Sequence, residues 1–418
     1  MINVAWRRLV VRPVARSLDF GRAQSFWLRP FSILLALFFF GDLSAAAGRG
    51  LLPVYAEDIL GREPDFASLL VSARLLFAGG AAFVGGALSD AIGQRRVLLL
   101  GLSGLGVVSL VFLTGSPWAL MAFSIYAGFS GGAYYLGGDT YTLATVPKQQ
   151  LGLAAALIFT APTLGGALGN SLSGLVLAHY DFRLLGVLGA VMGTAVFLAG
   201  VLFVPRASGQ AGSLSSAQSL SGYGTIIKRP EVLLLGLLRF IPTAYWGTAS
   251  LLFPLLIYRV SGSPSTAAYY GTVMLLFASA CQLVSGRLSD RMDRTLLVVA
   301  LTALIVVSSL AAALATDSLV GLYVTGVLGA GFAWALSVPI PGLISQVSPL
   351  GEHGRTLGFT HICWYGGMIA GTQVGGWLVQ VSGGLPFVVV GLFNLASVAC
   401  AVLLYRRVRV RAVSTAQS

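Results

Sequence analysis

Two stretches carry the reading of this chain: Gly86-Ala-Leu-Ser-Asp90-Ala-Ile-Gly93-Gln-Arg95-Arg96 and Gly286-Arg287-Leu-Ser-Asp290-Arg291-Met-Asp293-Arg294. Both read Gly-x-Leu-Ser-Asp, both place Arg four to six residues after the Asp, and they begin 200 residues apart. Each is a tight, charged turn in a long apolar background. A motif repeated at half the chain length predicts a duplicated architecture.

The background itself is informative. Of 418 residues, 56% are hydrophobic and only 10% are charged, whereas soluble domains carry roughly 25% charged residues. A water-soluble fold cannot bury that much apolar surface, so the chain is expected to be an all-α integral membrane protein. Apolar runs of about 20 residues, enough to cross a bilayer, fall at 31–55, 66–88, 97–114, 118–138, 151–178 and 184–204. Six more fall at 232–257, 265–288, 295–315, 319–341, 357–381 and 386–405. Each must be a helix, because lipid offers no partner to an unpaired backbone group.

Between the sixth and seventh runs lies a Ser/Gly/Ala-rich stretch with linker composition. The expected organisation is a basic cytoplasmic segment (1–30), a six-helix bundle (31–204), a cytoplasmic linker (205–231), a second six-helix bundle (232–405) and a cytoplasmic tail (406–418). Fifty-three glycines suit close helix packing in such bundles. Cys281, Cys363 and Cys400 lie within apolar runs without metal-ligand spacing, and are read as packing residues.

Charge orients the helices. With the N-terminus inside, the inner segments hold six Arg in the tail, then Arg95, Arg96, Lys148, Arg206, Lys228, Arg229, Arg287, Arg291, Arg294 and Arg355, and four Arg after Tyr405. Outer loops hold Arg62, Arg183 and Arg259. That bias is a positive-inside pattern and predicts both termini in the cytoplasm. The net charge of +12 then describes contact with anionic lipid head groups rather than nucleic acid.

Twelve helices as six plus six, with a charged turn between the second and third, resemble the major facilitator superfamily. Gly86, Leu88, Asp90, Gly93 and Arg95 match its signature in that turn, and Gly286, Leu288, Asp290, Arg291 and Arg294 match in the second copy, where Asp293 replaces the usual Gly. The resemblance implies two pseudo-symmetric bundles. It also implies an inner latch, closed when the carrier faces outward, in which Asp90 meets the start of the eleventh helix, around Gly354-Arg355-Thr356, while Arg95 or Arg96 pairs with Asp139. The Asp293 substitution predicts that the two latches are unequal. Ala161-Pro162-Thr163-Leu164-Gly165-Gly166 in the fifth helix resembles the motif of drug/proton antiporters in this superfamily. The Arg usual in the fourth helix of those proteins is Ser124 here.

Charges within lipid are costly and mark functional candidates. Asp42 lies about 16 Å into the first helix. Desolvation favours a neutral carboxyl, so such a group can take up and release a proton as access alternates; Asp42 and His361 are the proton-coupling candidates. Arg49 shares a face with Asp42, seven residues on. Arg49, Arg74, Tyr126, Arg239, Tyr245, Trp246, Gln282, Trp334, Trp364 and Gln373 are the candidates for the substrate cavity. An aromatic cavity with few charges suits an amphiphilic solute; three intramembrane Arg against one Asp leave an organic anion as the alternative.

The expected function is therefore secondary active transport of a small solute, by proton-coupled efflux of amphiphilic compounds across a bacterial inner membrane. The alternatives are proton-coupled import of a small organic anion and, further away, a non-transporting receptor. No enzyme, metal or cofactor motif is present, and a functional monomer is expected.

Overall fold

The computed structural model describes residues 30–145, 151–205, 226–348 and 353–417, with side-chain detail for these apart from 30, 84–91, 143–145, 151–156, 353–355 and 410–417. The basic N-terminal segment, most of the linker and the side chain of Asp90 therefore lie outside the described residues.

Among the described residues the chain is helical, without strands. The first half comprises α1 (Pro30–Gly50), α2 (Leu52–Asp58), α3 (Pro64–Ile92), α4 (Gln94–Leu110), α5 (Pro117–Thr145), α6 (Leu151–His179) and α7 (Phe182–Phe203). The second comprises α8 (Pro230–Ser261), α9 (Pro264–Arg291), α10 (Arg294–Leu314), α11 (Leu319–Ser337), α12 (Ile340–Val347), α13 (His353–Leu378) and α14 (Leu385–Gln417). Because α2 follows α1 and α12 follows α11 with little interruption, the fourteen helices form twelve membrane-length units. Nine described segments are long and apolar enough to cross a membrane. The other units, α5, α6 and α13, have 29, 29 and 26 residues, ample for a hydrocarbon core of about 30 Å at roughly 1.5 Å per residue.

Helix starts follow local chemistry. Proline begins α3, α5, α8 and α9, where its missing N–H removes a donor that would otherwise lack a partner. Asp181 accepts from the Leu184 amide at 2.9 Å and Ser318 from the Gly321 amide at 3.1 Å, capping α7 and α11.

Packing repeats between the halves. In the first, α1 packs on α6, α3 on α5, and α4 on α5 and α7; in the second, α8 packs on α13, α9 on α11, and α10 on α11 and α14. The closest seams also correspond. A Cβ on Gly165 or Gly169 of α6 would collide with the carbonyls of Phe39 or Leu43 on α1. One on Gly367 or Gly371 of α13 would collide with those of Phe240 or Ala244 on α8. In lipid, where apolar burial does not drive helices together, such backbone approach is the means of association.

The charged turns differ in geometry. Gly93 closes the α3–α4 turn at φ 89°, a conformation side chains rarely adopt. Asp293, in the equivalent turn, has φ −62° and caps α10 by accepting from the Thr295 amide at 2.8 Å. Burial, the largest influence, pushes the Asp293 carboxyl up, yet hydrogen bonds from Thr295 and Leu296 with the charge of Arg409 outweigh it and hold it below the usual carboxylate range. The second copy is a different turn chemistry, built around a cap.

Candidate functional site

The two halves meet at the end of the bundle that carries Glu57 and Asp58. Arg259 at the end of α8 donates from Nε and Nη2 to the two Glu57 carboxylate oxygens, each at 2.7 Å. Beside it, the Tyr258 hydroxyl donates to Asp58. Further in, Gln373 of α13 donates to Ser72 Oγ at 2.7 Å and to the Ser68 carbonyl at 3.2 Å on α3. On the opposite flank Ser171 of α6 meets Thr272 of α9 at 3.0 Å, and Thr272 reaches the Ala167 carbonyl at 3.0 Å. Gly174 and Gly166 of α6 face Tyr269 and Leu275 of α9. The glycines of the α6 motif are thus divided: Gly165 and Gly169 hold α6 to α1, while Gly166 and Gly174 approach the other half.

Deeper in α1, Asp42 is 5% exposed. Its carboxylate accepts from Arg49, from the Tyr135 hydroxyl at 3.2 Å and from the Tyr134 hydroxyl at 3.3 Å. The seven-residue spacing places Arg49 two turns along the same face, and its side chain folds back onto Asp42 rather than extending toward the membrane surface. Tyr134 stacks on Phe38 at 4.4 Å, which holds its hydroxyl over the carboxylate. These partners satisfy a charge that would otherwise be costly to bury. Arg74 of α3 is close enough to feel the charge of Arg49 and reaches the Gly48 carbonyl at 3.5 Å, but has no carboxylate partner among the described residues. The cluster of Asp42, Arg49 and Arg74 therefore carries one excess positive charge.

The second half arranges its polar groups differently. Arg239 of α8 donates from Nη1 to Ser337 Oγ of α11 at 2.9 Å, with its Nε buried and without a hydrogen-bond partner. His361 and Cys363 of α13 lie within electrostatic reach of it. Trp246 and Trp334 meet edge to face, 6.0 Å apart, across the same α8–α11 seam. Trp364 packs on Tyr365 at 4.9 Å, and the Tyr365 ring covers Gly79 of α3 at the junction of the halves. Gln282 is half-buried on α9.

Two expected placements are not what this conformation shows, those of Arg95 and Tyr245. Arg95 does not pair with Asp139: it donates from Nε to the Val204 carbonyl at 2.7 Å and from Nη2 to the Val201 carbonyl at 2.8 Å, closing the C-terminal end of α7, where a cation is favoured. Tyr245 is no cavity wall. It is fully buried with its hydroxyl against Gly329, because one residue along a helix turns the side chain by about 100° from Trp246. Tyr126 pairs with Ser103 of α4 at 2.7 Å, a helix that packs within its own half. The second-copy residues Asp290 and Arg291 are exposed, and Arg294 packs against Gly342 of α12. Tyr134 and Tyr135, the partners of Asp42, were legible as aromatic residues of the fourth span, without any signal for that contact.

Comparison with known proteins places this geometry. The family model described as Major Facilitator Superfamily matches residues 33–340 and 235–417. A gallate transporter from Pseudomonas putida is 25% identical over 128 residues, covering 30% of this chain and 28% of that protein. The multidrug resistance protein MdtG of Yersinia enterocolitica is 28% identical over 138 residues, covering 32% and 33%. The alignments thus span a third or less of each relative's own length. The fold is similar to the crystal structure of a POT family transporter in complex with 5-aminolevulinic acid, with a TM-score of 0.76 at 12% identity, covering 90% of this chain and 96% of that one. With the family model matching nearly the whole described chain, the protein belongs to the Major Facilitator Superfamily.

Proposed function

We propose that the chain is a secondary active transporter that moves a small solute across the membrane by alternating access, coupled to protons. The observation that carries this reading is the uneven contact between the halves. Their polar contacts gather at the Glu57–Asp58 end, while the buried Asp42 and the half-buried Arg49, Arg74 and Arg239 lie deeper, where a central site would be reached from the opposite, basic end. With that end cytoplasmic, as its positive charge favours, the conformation is inward-facing. The bacterial sources of the relatives support a bacterial inner membrane, with both termini cytoplasmic.

Asp42 is the residue for the coupling proton. It is buried, sits well inside α1, and is held by three donors whose bonds would weaken on protonation. Arg49 would then be released for other partners, which gives proton uptake a structural consequence. Asp90 and the start of α13 remain the proposed inner latch, formed in the alternate state. The aromatic groups of α8, α11 and α13 support an amphiphilic solute, and the likeness to MdtG supports export.

A second reading, import of a small organic anion, is favoured by Arg74 and Arg239, which lack carboxylate partners among the described residues; one relative's name, gallate transporter, points the same way. Purified protein in liposomes under an imposed pH gradient tests the proposal. Solute flux should follow the gradient, and Asp42→Asn should abolish coupled flux while leaving solute exchange. Coupling that survives in Asp42→Asn removes Asp42 from the mechanism; absence of flux across a panel of amphiphiles and organic acids would sink the transport reading.

A further inference from the structure

We propose that the α8–α11 seam is a subsite for an aromatic carboxylate, with Arg239 and Ser337 taking the carboxylate and Trp246 with Trp334 taking the ring. The proposal rests on the transport reading only in making this ligand the transported solute; binding itself stands apart.

The geometry begins with helix phase. On α8, Phe240, Ala244 and Gly247 turn toward α13, and the Ile241 carbonyl turns toward Asn394 of α14. Arg239 and Trp246 are seven residues apart, two full turns, on the remaining face. On α11, Trp334 and Ser337 are three residues apart and face them. Two rungs result: Arg239 with Ser337, and Trp246 with Trp334. They are separated by about 10 Å along α8 and about 4.5 Å along α11.

The chemistry of each rung is incomplete. A guanidinium presents five N–H donors in a planar fork suited to a carboxylate. Here one of its bonds goes to a neutral hydroxyl, and Nε is buried without a partner. No carboxylate faces it among the described residues; its electrostatic neighbours are His361 and Cys363. A buried cation in that condition is costly unless something anionic completes it. The ring rung offers an edge-to-face indole pair, to which a further aromatic ring adds in the same manner. In the first half, by contrast, Arg49 is already answered by Asp42.

Binding of 4-hydroxybenzoate and of its neutral amide to the purified full-length protein in nanodiscs, followed by calorimetry, provides the test. The acid is expected to bind about ten- to a hundredfold more tightly than the amide, the range for a charged hydrogen bond. Arg239→Gln should erase that preference, Arg239→Lys should keep part of it, and Trp334→Leu should weaken acid and amide alike. Thermal melting shows that each variant is folded; should Arg239→Gln fail to fold, Ser337→Ala must still reduce the preference. Equal binding of acid and amide by the wild type, no binding of the acid, or an acid preference that survives in folded Arg239→Gln each overturns the subsite. Acid binding that depends on Arg239, without flux in liposomes, would instead sink the transport reading and leave the subsite standing. Flux of other solutes with no such binding would do the reverse.

Discussion

The two halves share a seam and differ in their charges. Phe39 and Leu43 of α1 correspond to Phe240 and Ala244 of α8 at a spacing of 201 residues, and each pair lies under glycines of the partner helix, Gly165 and Gly169 or Gly367 and Gly371. Carried along at the same spacing, Asp42 corresponds to Thr243 and Arg49 to Ser250. The backbone contact that builds each half has been kept in both; the ion pair exists in one. The first half neutralises its buried carboxylate internally, with Arg49, Tyr134 and Tyr135. The second leaves Arg239 partly unanswered, beside two indoles. Duplication thus accounts for the frame of the molecule, and the differences between the copies lie in their charged and aromatic groups.

The largest effect comes from removing the charge that one half alone carries. Asp42→Ala leaves the half-buried Arg49 without its carboxylate partner, and should cost about 3 kcal/mol, the lower end for breaking a buried pair, read as a large drop in Tm of the purified protein. Adding Arg49→Ala should recover most of that loss; a double variant no more stable than Asp42→Ala would mean the pair is not the stabilising unit. Next in size is the shared seam. Gly165→Val and Gly371→Val should each cost about 1–3 kcal/mol through overpacking, and by similar amounts, since both place a side chain against a carbonyl of the facing helix. A large effect in one half only would show that the seams are not equivalent.

The charged turns give an unequal pair of effects. Gly93→Ala forces a side chain into a positive-φ turn at about 1–3 kcal/mol, whereas Asp293→Gly, toward the residue usual in such turns, should cost only a few tenths of a kcal/mol and Asp293→Ala about 0.5–2 kcal/mol. Because the Asp293 carboxyl is held below its usual range, its cap should contribute in full at neutral pH and fade only as pH falls through and below about 3.8, the ordinary value in the unfolded chain. Thermal melts of Asp293→Asn and wild type should therefore converge at acidic pH.

A comparably small energetic effect lies at the junction. Arg259→Ala removes a half-exposed ion pair with Glu57, for about 0.2–1 kcal/mol. That is enough to shift the balance between conformers severalfold. Spin labels at the ends of α2 and α8 should report a larger population of wide separations; an unchanged distance distribution would remove this pair from the closure.

Much of this was legible from residues alone, and the misreadings share one cause. The seven-residue spacing of Asp42 and Arg49 put both on one face without the tertiary fold. Tyr245 and Trp246, adjacent and both aromatic, were read together as cavity residues, yet one is sealed against Gly329 and the other meets Trp334. In α8 apolar residues occur all round the helix, so no stripe reveals its rotation. Arg95, expected near Asp139 when the carrier faces outward, here donates to the carbonyls at the end of α7, which have no helical donors of their own.

What the sequence determined by itself was the helix count, the six-plus-six repeat and the positive bias of one end. Lipid requires every spanning backbone to satisfy its own hydrogen bonds, so length and hydropathy suffice to read spans. Only the tertiary structure decided which charge answers which, which glycines face a partner helix in the same half or the other, and at which end the halves are joined. Those outcomes depend on the rotation of each helix and on groups 50 to 305 residues apart in the chain, such as Ser285 with Ala335 and Gln373 with Ser68, for which no local pattern carries a signal.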